Sequence, residues 1–138
     1  MSYWEGTTKL ATAEIAECAK NMLENGMNRA QRLFFRGTTW GPIDDGAGGV
    51  FAGFDERPTW SARATLVRKR TAAYCDVRVF DHGDLRSVRL DLGKSFGGGS
   101  DAKTLAQALI MSLRTVDPGL SSSGGEEVVP VEGLGWTQ

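Results

Sequence analysis

YCDVRVF at 74–80, DHGD at 81–84 and LRSVRLDL at 85–92 decide the fold of this chain. Apolar and polar residues alternate with period two on both sides of a turn rich in Asp and Gly, the pattern of an antiparallel hairpin with one buried face. Setting Phe80 opposite Leu85 pairs Val77 with Val88 and Cys75 with Leu90 on one apolar side. The other side then pairs Asp76 with Arg89 and carries Tyr74, Arg78 and Phe80. Upstream, Ala62 to Arg70 reads as a further strand joined through Thr71-Ala72-Ala73. The same logic sets Val67 against Val77, Arg68 against Asp76, and Arg70 opposite the Tyr74 ring.

Downstream, Gly93 to Gly99 (GKSFGGG) reads as a flexible connection into a helix. Ser100 is a suitable N-cap, and Asp101 favours the positive helix end. Leu105, Leu109 and Leu113 recur every four residues beside Ala102, Ala106 and Val116, a stripe made to pack on a sheet. Asp117-Pro118-Gly119 stops it. Near the start, Thr7 or Thr8 can cap a helix running to about Asn25, with Ala11, Ile15, Cys18 and Met22 on one face and Gly26 terminating it. Asn28 to Arg36 is open between helix and strand. Gly37 to Gly49 is a loop, Val50 to Phe54 a short strand candidate, and Asp55 to Pro58 a turn. The expected architecture is α+β, with an antiparallel sheet of three to five strands and the N-terminal and C-terminal helices packed on one face. It forms a single domain over 1–120, followed by an acidic polar tail over 121–138 that ends near Trp136.

Composition narrows the function classes. The chain has 138 residues, one domain's worth, and its 41% hydrophobic content supports a real core. A net charge of -1 gives no global field toward nucleic acid or membrane. With no long apolar run and no signal-like start, the expectation is a soluble cytoplasmic protein without a membrane partner. Cys18 and Cys75 fall in burying patterns and read as reduced core thiols, and His82 alone adds too little for a zinc site.

Candidate chemistry is sparse. Gly93-Lys94-Ser95 suggests a phosphate loop, but Val88 stands where that motif needs its first glycine. What survives is Gly97-Gly98-Gly99-Ser100 leading into a helix N-terminus, whose N–H groups can bind an anion; a plain flexible connection explains the same residues. From 57 to 94 there are nine basic residues against four acidic ones. Arginines interleaved with Tyr74 and Phe80 could hold a single strand of nucleic acid or an acidic ligand, or could form a solvated face of cross-strand ion pairs. His82 at a hairpin tip has no nucleophile placed with it, and Asp44-Asp45 suits a turn. Trp40, Phe51, Phe54 and Trp60 flank the first glycine loop as core packing or as an interface.

Arg57-Pro58, YCDVRV at 74–79, Asp81-His82-Gly83, Gly93-Lys94 with a following glycine, and AQALIMSLR at 106–114 occur in an order that resembles the TSCPD domain. That domain is found at the end of cobalamin-dependent ribonucleotide reductases and as small free-standing proteins. The resemblance implies an accessory or binding module with no catalytic residue.

Together these features predict a non-enzymatic binding module for an anionic small molecule, nucleotide-like, with no cofactor. Lys94, Gly97, Gly98, Gly99, Ser100 and Asp101 would form the cradle, with Lys103 or the sheet residues Arg78 and Arg89 supplying charge. One helix covers little of such a sheet, so a homo-oligomer is expected. The alternatives are an assembly component, of a phage virion or other oligomer, and a single-stranded nucleic-acid binder.

Overall fold

The structure, a computed structural model, describes residues 3–25, 38–43, 57–68, 71–95 and 99–125. Its elements are β1 (Tyr3–Thr8), α1 (Thr12–Asn25), β2 (Thr39–Gly41), β3 (Trp60–Arg68), β4 (Thr71–Asp81), β5 (Arg86–Ser95), α2 (Gly99–Val116) and β6 (Ser121–Gly125). The fold is α+β. Six strands, more than the three to five expected, form one antiparallel sheet in the order β2-β3-β4-β5-β1-β6.

The extra strands lie where sequence cues were weak. β1 occupies residues read as the approach to a helix cap. Trp4, Gly6 and Thr8 are buried while Tyr3, Glu5 and Thr7 are half-buried, and the strand runs against β5 with Trp4 opposite Leu90. The helix therefore starts later than expected. The Glu14 carboxylate accepts the Ala11 N–H at 3.1 Å, one half of a capping box. β2 falls within the stretch read as glycine loop, and β6 within the stretch read as tail, where it pairs with β1. Asn28 to Arg36, Asp44-Asp45, Val50 to Phe54 and the tail beyond Gly125 lie outside the described residues.

The hairpin registers differ from those expected from sequence, for physical reasons. β4 and β5 pair Val79 with Val88, Val77 with Leu90 and Cys75 with Leu92, a slip of two residues that keeps every side chain on its expected face. The expected register would set Arg86 against Val79 inside the core. The observed one sets it against Asp81 at the rim. There Arg86 donates to the carbonyls of Leu10 at 2.6 Å, Lys9 at 2.8 Å and Gly83 at 2.7 Å, tying the hairpin tip to the β1–α1 turn. Gly83 has φ +91°, a conformation glycine adopts without strain, and its N–H bonds Asp81.

β3 and β4 pair Arg63 with Asp76 and Val67 with Ala72, an odd slip that exchanges the faces of β3. Val67 is accordingly 61% exposed, and Ala62, Ala64 and Leu66 enter the core. Thr71-Ala72-Ala73 is strand, not turn. Tyr74 pairs with Thr65, and Arg70 lies outside the described residues.

Ile15, Ala19 and Met22 from α1 and Ala102, Leu105, Ala106, Leu109 and Leu113 from α2 share one buried cluster with Trp4, Leu66, Val77, Val79, Val88, Leu90 and Leu92 from the sheet. Each such Leu or Val taken out of water contributes about 1.5–3 kcal/mol. Val116, expected in this stripe, is 54% exposed at the end of α2. Trp40 and Trp60 pack against the cluster as a tilted pair with centroids 6.1 Å apart.

Gly93 to Ser95, read as the start of a flexible linker, is the end of β5. Tyr74 lies cross-strand from Gly93 and its ring covers the space a Cβ would fill. Gly93→Ala is therefore expected to displace Tyr74 and lower the unfolding free energy by about 1–3 kcal/mol in urea titration. Gly41→Ala, where a Cβ meets nothing within 4 Å, should cost clearly less.

Candidate functional site

The sheet face opposite the α2 core carries a continuous row of charge. Arg63 makes a two-point contact with Asp76, Nε–Oδ1 at 2.6 Å and Nη2–Oδ2 at 2.9 Å. Arg78 bonds Asp91 at 2.9 Å and stands 3.9 Å from Asp76. Arg89 reaches the same Asp91 at 3.1 Å. The row is closed at each end by an aromatic ring, with Arg63 4.1 Å from the Tyr74 centroid and Arg89 3.9 Å from that of Tyr3.

Period two builds this row, because Arg63, Asp76, Arg78, Arg89 and Asp91 occupy one face of three neighbouring strands. The register places Asp76 directly opposite Asp91 and Arg78 opposite Arg89, like charges that would repel alone. Diagonal pairing of Arg78 with Asp91 resolves both conflicts. Asp76, Arg78 and Asp91 are buried, as is Phe80 on the same face. Their burial makes each charge dependent on its partner, since a desolvated charge left alone is far costlier than one exposed to water.

The expected binding residues fall into separate places. Arg78 and Arg89 are brought together as cross-strand partners, but both are engaged by Asp91. Position 94 pairs with Ala73 near the end of β5. Gly99 is the first residue of α2 and Ser100 its second. Asp101 is in the first turn. Gly97 and Gly98 lie outside the described residues. The sheet arginines lie on the face opposite the one on which α2 packs.

Other features had weaker sequence signals. A groove of about 400 Å³ runs between α1 and α2, with Glu14, Glu17 and Met22 on one wall and Ser112, Thr115 and Val116 on the other. Its floor is pinned where the Cys18 thiol and Ser112 hydroxyl meet at 3.0 Å. In sequence, Glu14 and Glu17 look like the solvated side of a helix, and Ser112 and Thr115 at i and i+3 are the hint of a facing wall. Asp117 links three elements, accepting hydrogen bonds from the Thr8 hydroxyl at 2.5 Å, the Gly119 N–H at 3.0 Å and the Lys9 N–H at 3.4 Å. The Thr8 hydroxyl above all, then the two N–H groups and the Lys9 charge, hold its carboxyl below the usual range. Burial, aided by Asp76 and Asp91, pushes the Cys75 thiol far up and out of the nucleophilic range.

Among the described residues no cluster of His, Cys, Asp and Glu is arranged to hold a metal ion, and no helix is long and apolar enough to cross a membrane. Comparison with protein-family models, curated proteins and solved structures finds no match to this chain.

Replacing Asp76 by Asn removes the negative partner of Arg63, which is partly solvent-exposed, while Arg78 keeps Asp91, and should lower stability by about 1–3 kcal/mol in chemical denaturation. Asp117 has a depressed folded-state pKa, so its contribution is present above the ordinary carboxylate range and is lost as pH falls through the folded value. The stability gap between wild type and Asp117→Asn should therefore be open at neutral pH and close on acidification, as followed by thermal melts. Cys18, partly exposed, should be alkylated by iodoacetamide in the native protein while buried Cys75 is spared until unfolding, as read by mass spectrometry.

Proposed function

We propose that this chain is a small non-enzymatic binding module for an anionic small molecule of nucleotide type, held at the start of α2 over Gly97–Asp101. The observation that carries the proposal is the strand-to-helix step. β5 ends at Ser95 and the 18-residue α2 begins at Gly99, so the N–H end of a long helix stands close in sequence to Lys94. Aligned peptide dipoles and unbonded N–H groups favour an anion at such an end. Lys103, exposed near the same end, supplies further positive charge. Asp101 shares this end, and a bound anion has to coexist with it. The resemblance to the TSCPD domain points the same way, toward an accessory module without a catalytic residue. A cytoplasmic setting goes with it, because two free thiols suit a reducing compartment.

The ion pairs of Arg63, Arg78 and Arg89 weigh against single-stranded nucleic acid as the ligand. Binding on that face would have to draw arginines away from Asp76 and Asp91. One observation favours a second reading, an assembly component of a phage virion or other homo-oligomer. Among the described strands β6 lies at the sheet edge and carries small exposed residues, and a sheet edge can accept a strand from a neighbour.

Thermal melts with ATP, GTP and inorganic phosphate test the first proposal. A ligand at about a hundred times its Kd stabilises by about 2.7 kcal/mol, a rise of several degrees. That rise should shrink in Lys94→Gln and Lys103→Ala. No shift across the panel would remove the anion-binding proposal, and large ligand-free particles in light scattering would favour assembly.

A further inference from the structure

The groove between α1 and α2 is not used by the proposed anion site, and its chemistry has the opposite sign. Among the described residues, the charged side chains that line it are carboxylates, Glu14 and Glu17, set one helical turn apart on α1. Glu17 is exposed. Against this acidic edge lie apolar surfaces, the buried Met22 within the groove and Val116 on the facing wall, 54% exposed at the end of α2. The Cys18–Ser112 contact holds the two helices in register at the floor. The groove is therefore a shaped feature of a packed helix pair.

We infer that this groove docks a basic amphipathic helix of a partner protein. An aliphatic anchor would sit against Met22 and Val116, and flanking Lys or Arg residues would lie along Glu14 and Glu17. The assignment rests on charge complementarity joined to an apolar wall. A carboxylate edge alone would suit any cation, and an apolar wall alone any hydrophobe. Both side by side along two helices fit a helix with an apolar stripe and basic flanks. The volume of about 400 Å³ is within the range of pockets that hold a ligand of side-chain-cluster size.

The test uses the full chain, isotope-labelled for NMR, titrated with a helical peptide of Leu and Lys in amphipathic register. A Leu and Glu peptide of the same apolar pattern serves as control. The Leu and Lys peptide should move the resonances of Glu14, Glu17, Thr115 and Val116, with affinity falling as salt rises, while the control should not. Glu17→Lys and Val116→Asn alter exposed side chains, so their melting temperatures should stay near wild type while each weakens binding by about tenfold. Shifts spread over the whole acidic surface, or both variants binding within about twofold of wild type, would overturn the inference. Spermine producing the same shifts with no dependence on Val116 would replace the helix by a small amine. Concentration-dependent broadening of the groove resonances without peptide would replace it by a second copy of the chain.

Discussion

The alternating row Arg63–Asp76–Arg78–Asp91–Arg89 is the constraint on which the remainder of the structure depends. It crosses β3, β4 and β5, the strands that carry most of the helix-side core. On one face these strands offer Val, Leu and Ala to the helices, and many registers would bury them about equally well. The charged face is less forgiving. Asp76 and Asp91 are opposite each other, as are Arg78 and Arg89, and burial leaves each unable to turn to water. Only with the diagonal contacts in place are the charges compensated. Buried ion pairs add little net stability against an apolar replacement, but a broken one costs several kcal/mol, so their effect is selective. Tyr74 and Tyr3 close the ends of the row, and the ring of Tyr74 in turn requires a glycine at 93.

This arrangement has a functional consequence. The basic excess between residues 57 and 94 suggests a surface for polyanions when read as a list. In the fold, three of those arginines neutralise two aspartates, and Arg86 ties the carbonyls of a turn. Arg63, Arg78, Arg86 and Arg89 are thus held by contacts within the fold, and both binding proposals fall on the helix layer. That layer carries the two proposed sites, the start of α2 and the acidic groove between α1 and α2. They are of opposite sign and draw on different residues, so an anion and a basic partner could be held together without competing for the same side chains.

The sequence carried the helix-side core well, because period two over 74–80 and 85–92 and period four over 105–113 are sustained patterns. It carried registers poorly, since alternation fixes the face of a residue but not its partner. The two-residue slip became decidable only on asking where Arg86 would go. The odd slip of β3 was legible in Trp60, Ala62, Ala64 and Leu66, a weak apolar run that Val67 and the following turn-like Thr-Ala-Ala obscured. β1, β2 and β6 were missed because Thr, Ser and Gly in short strands look like loop without the neighbour that pairs with them. Of the site, the strand-to-helix step was visible. The engagement of Arg78 and Arg89 by Asp91 was not, because it depends on the exact cross-strand register, and the groove needed two distant helix segments brought together.

A double-mutant cycle between Arg78 and Asp91, using Arg78→Met, Asp91→Leu and the pair, tests the central claim most directly. If the charged row selects the register, each single change leaves an opposing charge buried, and the double variant recovers much of the loss. The coupling should then exceed about 1.5 kcal/mol. Additive losses, with coupling under about 0.5 kcal/mol, would mean that the arginines and aspartates act independently and that the helix-side core alone sets the sheet.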